Sequence, residues 1–303
     1  MDTQDILSDS FFPEPDIPLA VRRTQQPDLS PHMHTFIELV MVVSGSGTHL
    51  IRTECCPITV GDVFVIPPYT SHGYTDTEDL TIYNILFKEQ MFSRYRAELE
   101  LIPGFHGLIY LEPYYRSVRG FSGRLTLLPD QIVQAMSLVR RLEQEQQGRY
   151  DGRRIMMENL FIELLLFYCR RFSVDAGPAT RVMPVARAIG HMNRHYADPL
   201  TLEMLADVAS VSKRSLIRQF NNTTGLTPMR YLQKVRVAKA RALLEHGERS
   251  ITEVALESGF NDPSYFSSVF SRHVGLSPRA YMHAAERGQP IASPAPGRDP
   301  DTA

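Results

Sequence analysis

The chain has only three cysteines in 303 residues. Cys55 and Cys56 are adjacent and Cys169 sits in an apolar stretch, so neither a disulfide framework nor a paired zinc-cysteine pattern is available. Long apolar runs are also missing: none approaches the roughly 18 residues of a membrane-spanning helix. The opening MDTQDILSDSFFPEPDIP is acidic and interrupted by three prolines, which leaves no basic start and apolar core for a signal peptide. These absences point to a cytoplasmic protein with no membrane partner, whose cysteines serve packing.

What is present is ordinary globular composition, 43% hydrophobic and 22% charged, with length enough for two domains. The formal charge of −2 is unevenly spread. Residues from Pro184 to Arg287 carry 14 Lys+Arg against 9 Asp+Glu, so the remainder carries −7. A basic segment of that kind suits an approach to phosphates.

The basic segment is also duplicated. From Leu205, LADVASVSKRSLIRQFNNTTGLTPMRYL recurs from Val254 as VALESGFNDPSYFSSVFSRHVGLSPRAYM. Ala206 answers Ala255, Phe220 answers Phe270, Gly225 answers Gly275 and Pro228 answers Pro278. In a helix-turn-helix the first helix crosses close over the second, which calls for a small residue at the crossing and a turn-compatible residue four positions later. Ala255 and Gly259 meet both demands. Ala206 meets the first, while Ser210 stands where glycine would be easier. Two such units in register imply two recognition helices and DNA as the ligand.

Helix starts are explicit in this half, which reads as seven helices. Ser250 to Glu253 has capping-box spacing, and Asp262-Pro263, Thr227-Pro228 and Ser277-Pro278 each set a side-chain cap before a proline at the first helical position. The first recognition helix should begin at Ser212 and present Lys213, Arg214, Ser215 and Arg218, with Leu216 and Phe220 turned inward. Arg214 and Arg218 lie one turn apart, so both can face base edges or phosphate. The second should begin at Asp262 and present Pro263, Ser264, Ser267, Ser268 and Arg272, shorter groups suited more to position than to discrimination. Between the units the stretch 229–247 reads as a helix of about 17 residues, about 25 Å long and stopped by His246-Gly247, which can separate the readers by one DNA turn. Its row Lys234, Arg236, Lys239 and Arg241 is open to two readings, phosphate contact or a solvated face.

The first half follows another period. Residues 31 to 87 alternate in short runs broken by SGSG, VGD and PPY, the pattern of a small all-β barrel or sandwich. From Pro129 the spacing is helical: Ile132, Val133, Met136, Val139 and Leu142, then Ile155, Leu160, Ile162, Leu164 and Phe167, joined by GRYDG. This helical hairpin either pairs two subunits or covers the barrel. In His32-x-His34-x-x-x-Glu38, strand alternation sets His32, His34, Phe36 and Glu38 on one face, and His72 follows later. His32, His34, Glu38 and His72 could hold a divalent metal. The same residues, with Phe36, could instead line a pocket for an organic effector without any cofactor.

The stretch ESGFNDPSYFSSVFSRHVGLSPRAYM, with the duplicated unit before it, resembles the AraC/XylS family of transcription regulators over Val182 to Met282. The His-x-His-x-x-x-Glu and Gly61…Pro67…His72 segments resemble the two cupin motifs. DLTIYNILF, LIPGF and YLQKVRVAKARALLEHGERSITEVALESGF are similar to activators of bacterial L-rhamnose operons. The resemblance implies a mixed two-domain fold: an all-β cupin-like barrel with a helical hairpin, then an all-α double helix-turn-helix. It also implies a dimeric activator that binds promoter DNA, a sugar-like effector and RNA polymerase. By the family's pattern, Ser268 stands where arginine is common and Arg272 where lysine is common, which weakens base reading by the second unit. The expected divisions are an arm over 1–30, the barrel over 31–128, the hairpin over 129–172, a linker over 173–183, the DNA-binding domain over 184–287 and a disordered tail over 288–303. Two alternatives use the same four ligands: a metal-responsive transcription factor, and a cupin metalloenzyme with an appended DNA-binding domain.

Overall fold

The computed structural model describes residues 6–7, 11–13, 16–119, 124–175, 182–245 and 249–287. The expected tail, most of the linker and the His246-Gly247 helix stop lie outside those residues. The chain divides into two compact units, Met1–Arg187 and Ala188–Ala303.

The first unit contains strands β1 (Ile6–Leu7), β2 (Leu19–Gln25), β3 (Leu29–His34), β4 (Ile37–Ile51), β5 (Glu54–Thr59), β6 (Asp62–Ile66), β7 (His72–Phe87) and β8 (Leu125–Thr126). The order is β1-β3-β7-β4-β6-β8, with β2 also on β7 and β5 also on β4. The long strands β4 and β7 run antiparallel from Ile37↔Phe87 to Ile51↔His72, with register shifts between Val42 and Thr48. One end of β4 pairs with β6 and the other with β5; β7 likewise serves β2 at one end and β3 at the other. Irregularities in the shared pair let one sheet bend back on itself. At Gly45, φ is +72° and a Cβ would collide with the Glu78–Asp79 backbone, so only glycine fits this crossing.

Val40, Val42, Ile58, Phe64, Ile66, Tyr74, Leu80 and Ile82 pack together in the interior. The other face of β4 is covered as well: Tyr168 Oη reaches Met41 Sδ at 3.2 Å. Burial on both faces explains why Leu39 to Val42 is an unbroken apolar run.

Two boundaries differ from expectation. The arm over 1–30 contains β2, which pairs in full register with β7. The outer edge of β2 is met by Gln146, whose side chain accepts from Val21 N–H at 2.7 Å and donates to Val21 O at 3.0 Å. The span assigned to the barrel is helical after β7, with a 3-10 turn (Glu89–Tyr95), α1 (Arg96–Leu99), α2 (Pro103–Phe105), a π-helical turn (His106–Leu111) and α3 (Glu112–Arg119). Met91, Phe92, Leu99, Phe105, Leu108, Ile109 and Leu111 are buried along this run.

The hairpin is α4 (Pro129–Gln147) and α5 (Arg153–Asp175). Its inner face differs from the expected one: Gln131, Ala135, Val139 and Leu142 are buried on α4, whereas Val133 is 70% and Ile155 59% exposed. On α5, Phe161 stacks toward Phe87 at 4.7 Å, so the hairpin covers the barrel.

The remaining helices are α6 (Met183–His195), α7 (Leu202–Ala209), α8 (Lys213–Thr224), α9 (Pro228–Glu245), α10 (Ile251–Glu257), α11 (Pro263–Val274) and α12 (Pro278–Glu286). Four of the starts expected from the sequence show their caps as follows. Ser212, Asp262 and Ser277 accept from Ser215, Tyr265 and Ala280 N–H respectively, and Ser250 forms a full capping box with Glu253. Thr227 Oγ1 lies 3.4 Å from Arg230 N. Phe260, Phe266 and Phe270 fill the second helix-turn-helix core beside Val254, Ala255 and Tyr281.

Candidate DNA-reading face and buried histidine cluster

In the first helix-turn-helix, α7 ends on Ser210 at φ 56°, ψ 41°, a left-handed position. The second unit uses Gly259 at φ +87°; a Cβ there would also strike the Tyr196–Ala197 backbone and the Arg236 side chain. These turns direct α8 and α11 alike. On α8, a groove of about 570 Å³ runs along Ser212, Arg214, Ser215, Ile217, Arg218, Asn221 and Asn222. Arg214 and Arg218 are exposed on it. Asn221 and Asn222 extend the same face by a turn; being uncharged, they carry no signal in the sequence that sets them apart from other polar surface residues. Lys213 points back instead: its Nζ is 2.6 Å from Glu203 Oε1 on α7. Ser215 Oγ is 2.9 Å from Gln219 Nε2.

On α11, Ser264, Ser268 and Arg272 are exposed at four-residue intervals, while Pro263 is half-buried and Ser267 Oγ donates to Pro263 O at 2.9 Å. Ser264 and Ser268 occupy the positions of Arg214 and Arg218 in the repeat. The two readers therefore differ in chemistry at their centres: two guanidiniums against two short hydroxyls.

Most of the basic row on α9 has other work. Arg236 Nε donates to Tyr196 O at 2.8 Å and its Nη2 to Asp198 O at 2.9 Å. Lys239 lies over the Tyr196 ring, and Arg241 donates to Tyr281 Oη at 3.1 Å. Lys234 is exposed.

In the first unit the structure brings His34, Glu38 and His72 together in the interior, all buried, with their ligand atoms within 4.8 Å of one another. Nε2 of His34 is 3.0 Å and Nε2 of His72 3.6 Å from Glu38 Oε2. His34 Nδ1 meets Phe36 O at 2.8 Å and His72 Nδ1 meets Thr70 O at 3.0 Å. A carbonyl only accepts, so both Nδ1 atoms carry hydrogen and both Nε2 atoms face the carboxylate. Burial opposes the charge on Glu38, but His34 and His72 outweigh it and hold the carboxyl well below its usual range.

His32 is not among the three. It pairs across the sheet with His72, its ring 4.2 Å away, and is half-buried. Burial and the neighbouring His72 lower its pKa. Phe36 does not share the Glu38 face either. The chain bends at Thr35–Phe36 between β3 and β4, which breaks the strand alternation. Phe36 therefore packs with Ala20 and Leu86, and stacks flat on His34 at 4.3 Å.

Beyond the cluster lies a polar zone that strand periodicity did not reveal. Arg116 of α3 is buried, pairs with Glu112 at 2.9 Å, donates to Val65 O and approaches His49 Nδ1 at 3.3 Å. Burial and then Arg116 hold His49 well below its ordinary pKa, so it is neutral, with its hydrogen on Nε2. Among the described residues, His34 Nε2, His49 Nε2, Tyr74 Oη and Glu112 Oε2 are buried without a hydrogen-bond partner. Native interiors seldom leave such groups unpaired unless a ligand, ion or water meets them.

Comparison with known proteins gives concordant matches. Residues 205–284 match a helix-turn-helix domain model and residues 14–160 an AraC-like ligand binding domain model. The HTH-type transcriptional activator RhaR of Salmonella schwarzengrund is 32% identical over 285 residues, 93% of this chain and 97% of that protein. The same activator of Salmonella typhimurium gives the same identity and coverage. Among solved structures, an AraC-type transcriptional regulator from Chromobacterium violaceum is 28% identical, covering 38% of this chain and 95% of that one with a TM-score of 0.33.

Proposed function

The chain belongs to the AraC family of DNA-binding transcriptional activators with a ligand-binding domain, and from that membership we propose a sugar-responsive activator that reads promoter DNA chiefly through α8. Its relatives are transcriptional activators, which removes the metalloenzyme alternative. Among the described residues no helix is long and apolar enough to cross a membrane. The working place we assign is the cytoplasm, beside promoter DNA and RNA polymerase.

The exposed Arg214–Arg218 pair carries the DNA assignment. Guanidiniums one turn apart on a capped helix are suited to bidentate contact with guanine edges or to phosphate. Asn221 and Asn222 add donors and acceptors that suit adenine. The second reader, with Ser264, Ser268 and Arg272, positions more than it discriminates. Helix α9 has 18 residues, about 27 Å, which with the helix widths spans roughly the 34 Å between successive major grooves. Lys213, held by Glu203, is a weaker candidate than its neighbours.

For the effector, we assign the barrel interior. The orphaned groups of His49, Tyr74 and Glu112 beside His34, Glu38 and His72 suit a polyhydroxylated molecule, whose hydroxyls both donate and accept. His32 stands at the half-open side and Phe36 supports His34 from behind. An activator RhaR relative and the sugar-like demand of these groups favour a deoxysugar or aldose. Such a ligand switches the protein only if it binds two arrangements with different affinity. Dimerisation is assigned to the outer hairpin face, where Leu138, Leu166 and Phe167 line a groove flanked by Glu163, Arg170 and Arg171.

Footprinting of the full-length protein on promoters of sugar-catabolic genes, with L-rhamnose and a panel of aldoses, tests the reading. Protection across two helical turns per protomer, strengthened by one sugar, is expected. Sequence-independent protection would refute base reading, and indifference to every sugar would refute the effector class.

A further inference from the structure

We propose that His191 and His195 on α6 bind one divalent transition-metal ion, of the Ni²⁺, Cu²⁺ or Zn²⁺ kind, in the DNA-binding half. The two residues stand one turn apart on one helical face. Their ring centres are 4.5 Å apart, with planes 33° from parallel. Paired histidines at this spacing on a helix can present two imidazole nitrogens to a single ion. Solvent reaches both: His191 is half-buried and the His195 side chain is 38% exposed.

Asp198 supports His195 from behind. Its Oδ2 lies 2.9 Å from His195 Nδ1. A carboxylate only accepts, so Nδ1 carries the hydrogen and Nε2 keeps its lone pair. A carboxylate behind an imidazole is the arrangement that orients a ligating histidine and raises its basicity. Asp198 is itself fixed: its N–H donates to His195 O at 3.0 Å, and its carbonyl accepts from Leu200 N–H at 2.8 Å and from the Arg236 guanidinium at 2.9 Å. Burial, then His195 and Arg194, lower the pKa of His191 against the pull of Asp198. His191 thus meets neutral solution as a lone-pair donor.

Imidazole suits zinc, copper and nickel, whereas calcium and magnesium prefer oxygen. Two protein donors leave the remaining positions to water. Bound there, the ion secures the last turn of α6 beside the loop that Arg236 clips. It stabilises the folded second unit by mass action, because the unfolded chain does not hold the two rings together. His191, His195 and Asp198 all belong to that unit, and the site is measured without any effector.

Tag-free, full-length protein is dialysed against Ni²⁺ beside its His191→Ala, His195→Gln and Asp198→Ala variants. Ions held elsewhere are common to all four chains and cancel in the difference. The parent is expected to hold one equivalent more than either histidine variant, and Asp198→Ala to weaken that equivalent about 10-fold. Diethyl pyrocarbonate labelling of the parent, which depends on no variant, should find His191 and His195 protected by Ni²⁺ but not by Mg²⁺. The proposal is overturned if the histidine variants take up as much Ni²⁺ as their parent, or if Ni²⁺ leaves both rings open to the reagent. Undiminished binding by Asp198→Ala would overturn the part given to the carboxylate.

Discussion

Arg236 holds the backbone of Tyr196 and Asp198, its Nε 2.8 Å from the first carbonyl and its Nη2 2.9 Å from the second. A cation on the linking helix is thereby turned into a clip that fastens the α6–α7 loop, at a point where Gly259 admits that loop close to its own backbone. Charge-assisted bonds of this kind contribute about 1.5–3 kcal/mol each where they are not freely solvated. Arg236→Ala should therefore cost about 2–4 kcal/mol in urea unfolding of the DNA-binding half. Lys234→Ala, on the exposed face, should alter stability by less than about 0.5 kcal/mol. If Lys234 contacts a phosphate, its loss reduces the salt slope of DNA binding by about 1. An Arg236 variant with unchanged stability and a reduced slope would reverse these roles.

The two turns make a matched pair of tests. Ser210 is held at φ 56°, where an L side chain is disfavoured and glycine is not, so Ser210→Gly should stabilise by up to about 1 kcal/mol. Gly259 has both the left-handed φ and no room, since a Cβ would overlap the Tyr196 carbonyl and Ala197. Gly259→Ala should destabilise by about 2 kcal/mol or more. Opposite signs at equivalent positions of one repeat, read from thermal melts of the single variants, are the expected result.

Such features differ in how far they can be read from the chain. Capping is local: Ser212, Ser250, Asp262 and Ser277 announce their helices within three residues, and each cap forms. The histidine cluster is partly local. His34 and Glu38 sit four apart, but the bend at Thr35–Phe36 removes Phe36 from their face, and no strand period foretells a bend. His49, Tyr74 and Arg116 have no local signature, because they meet only through the β4–β7 register and the docking of α3. Strand β2 was hidden for the same reason: the Gln146 that closes its edge lies 125 residues away. The row on α9 was legible as charge but not as structure, since the carbonyls that bind Arg236 belong to a loop 38 to 40 residues earlier.

His106 gives the first unit a dependence on pH. It is buried, and its Nε2 donates to Glu100 O at 2.7 Å. Burial, more than the opposing pull of Glu100, lowers its pKa below the ordinary histidine value. Above about pH 6.5 the ring is neutral in both folded and unfolded chains and contributes no pH dependence. As the pH falls through that value the unfolded chain takes up a proton that the folded one resists, so stability declines, at up to about 1.4 kcal/mol per pH unit for this group. His106→Gln, which keeps a donor for Glu100 O, should reduce the loss between pH 7 and pH 5 in urea melts. An unchanged loss would place the acid sensitivity elsewhere.

The asymmetry of the two readers leads to the last prediction. Arg218 and Ser268 occupy equivalent positions in the repeat, both exposed on their recognition helices. A guanidinium can span two acceptors on one guanine, while a serine hydroxyl offers a single short contact that many bases satisfy. Arg218→Ala should therefore lose about 1–3 kcal/mol of discrimination at one base position while leaving other positions unchanged. Ser268→Ala should change preference by no more than a few tenths of a kcal/mol. Ser268→Arg, restoring a long donor to the second reader, should add a preference for guanine in the distal half-site. Binding-site selection with the three variants measures all of these together. A uniform loss across every base for Arg218→Ala would assign that side chain to phosphate and move base reading to Arg214 or Asn222.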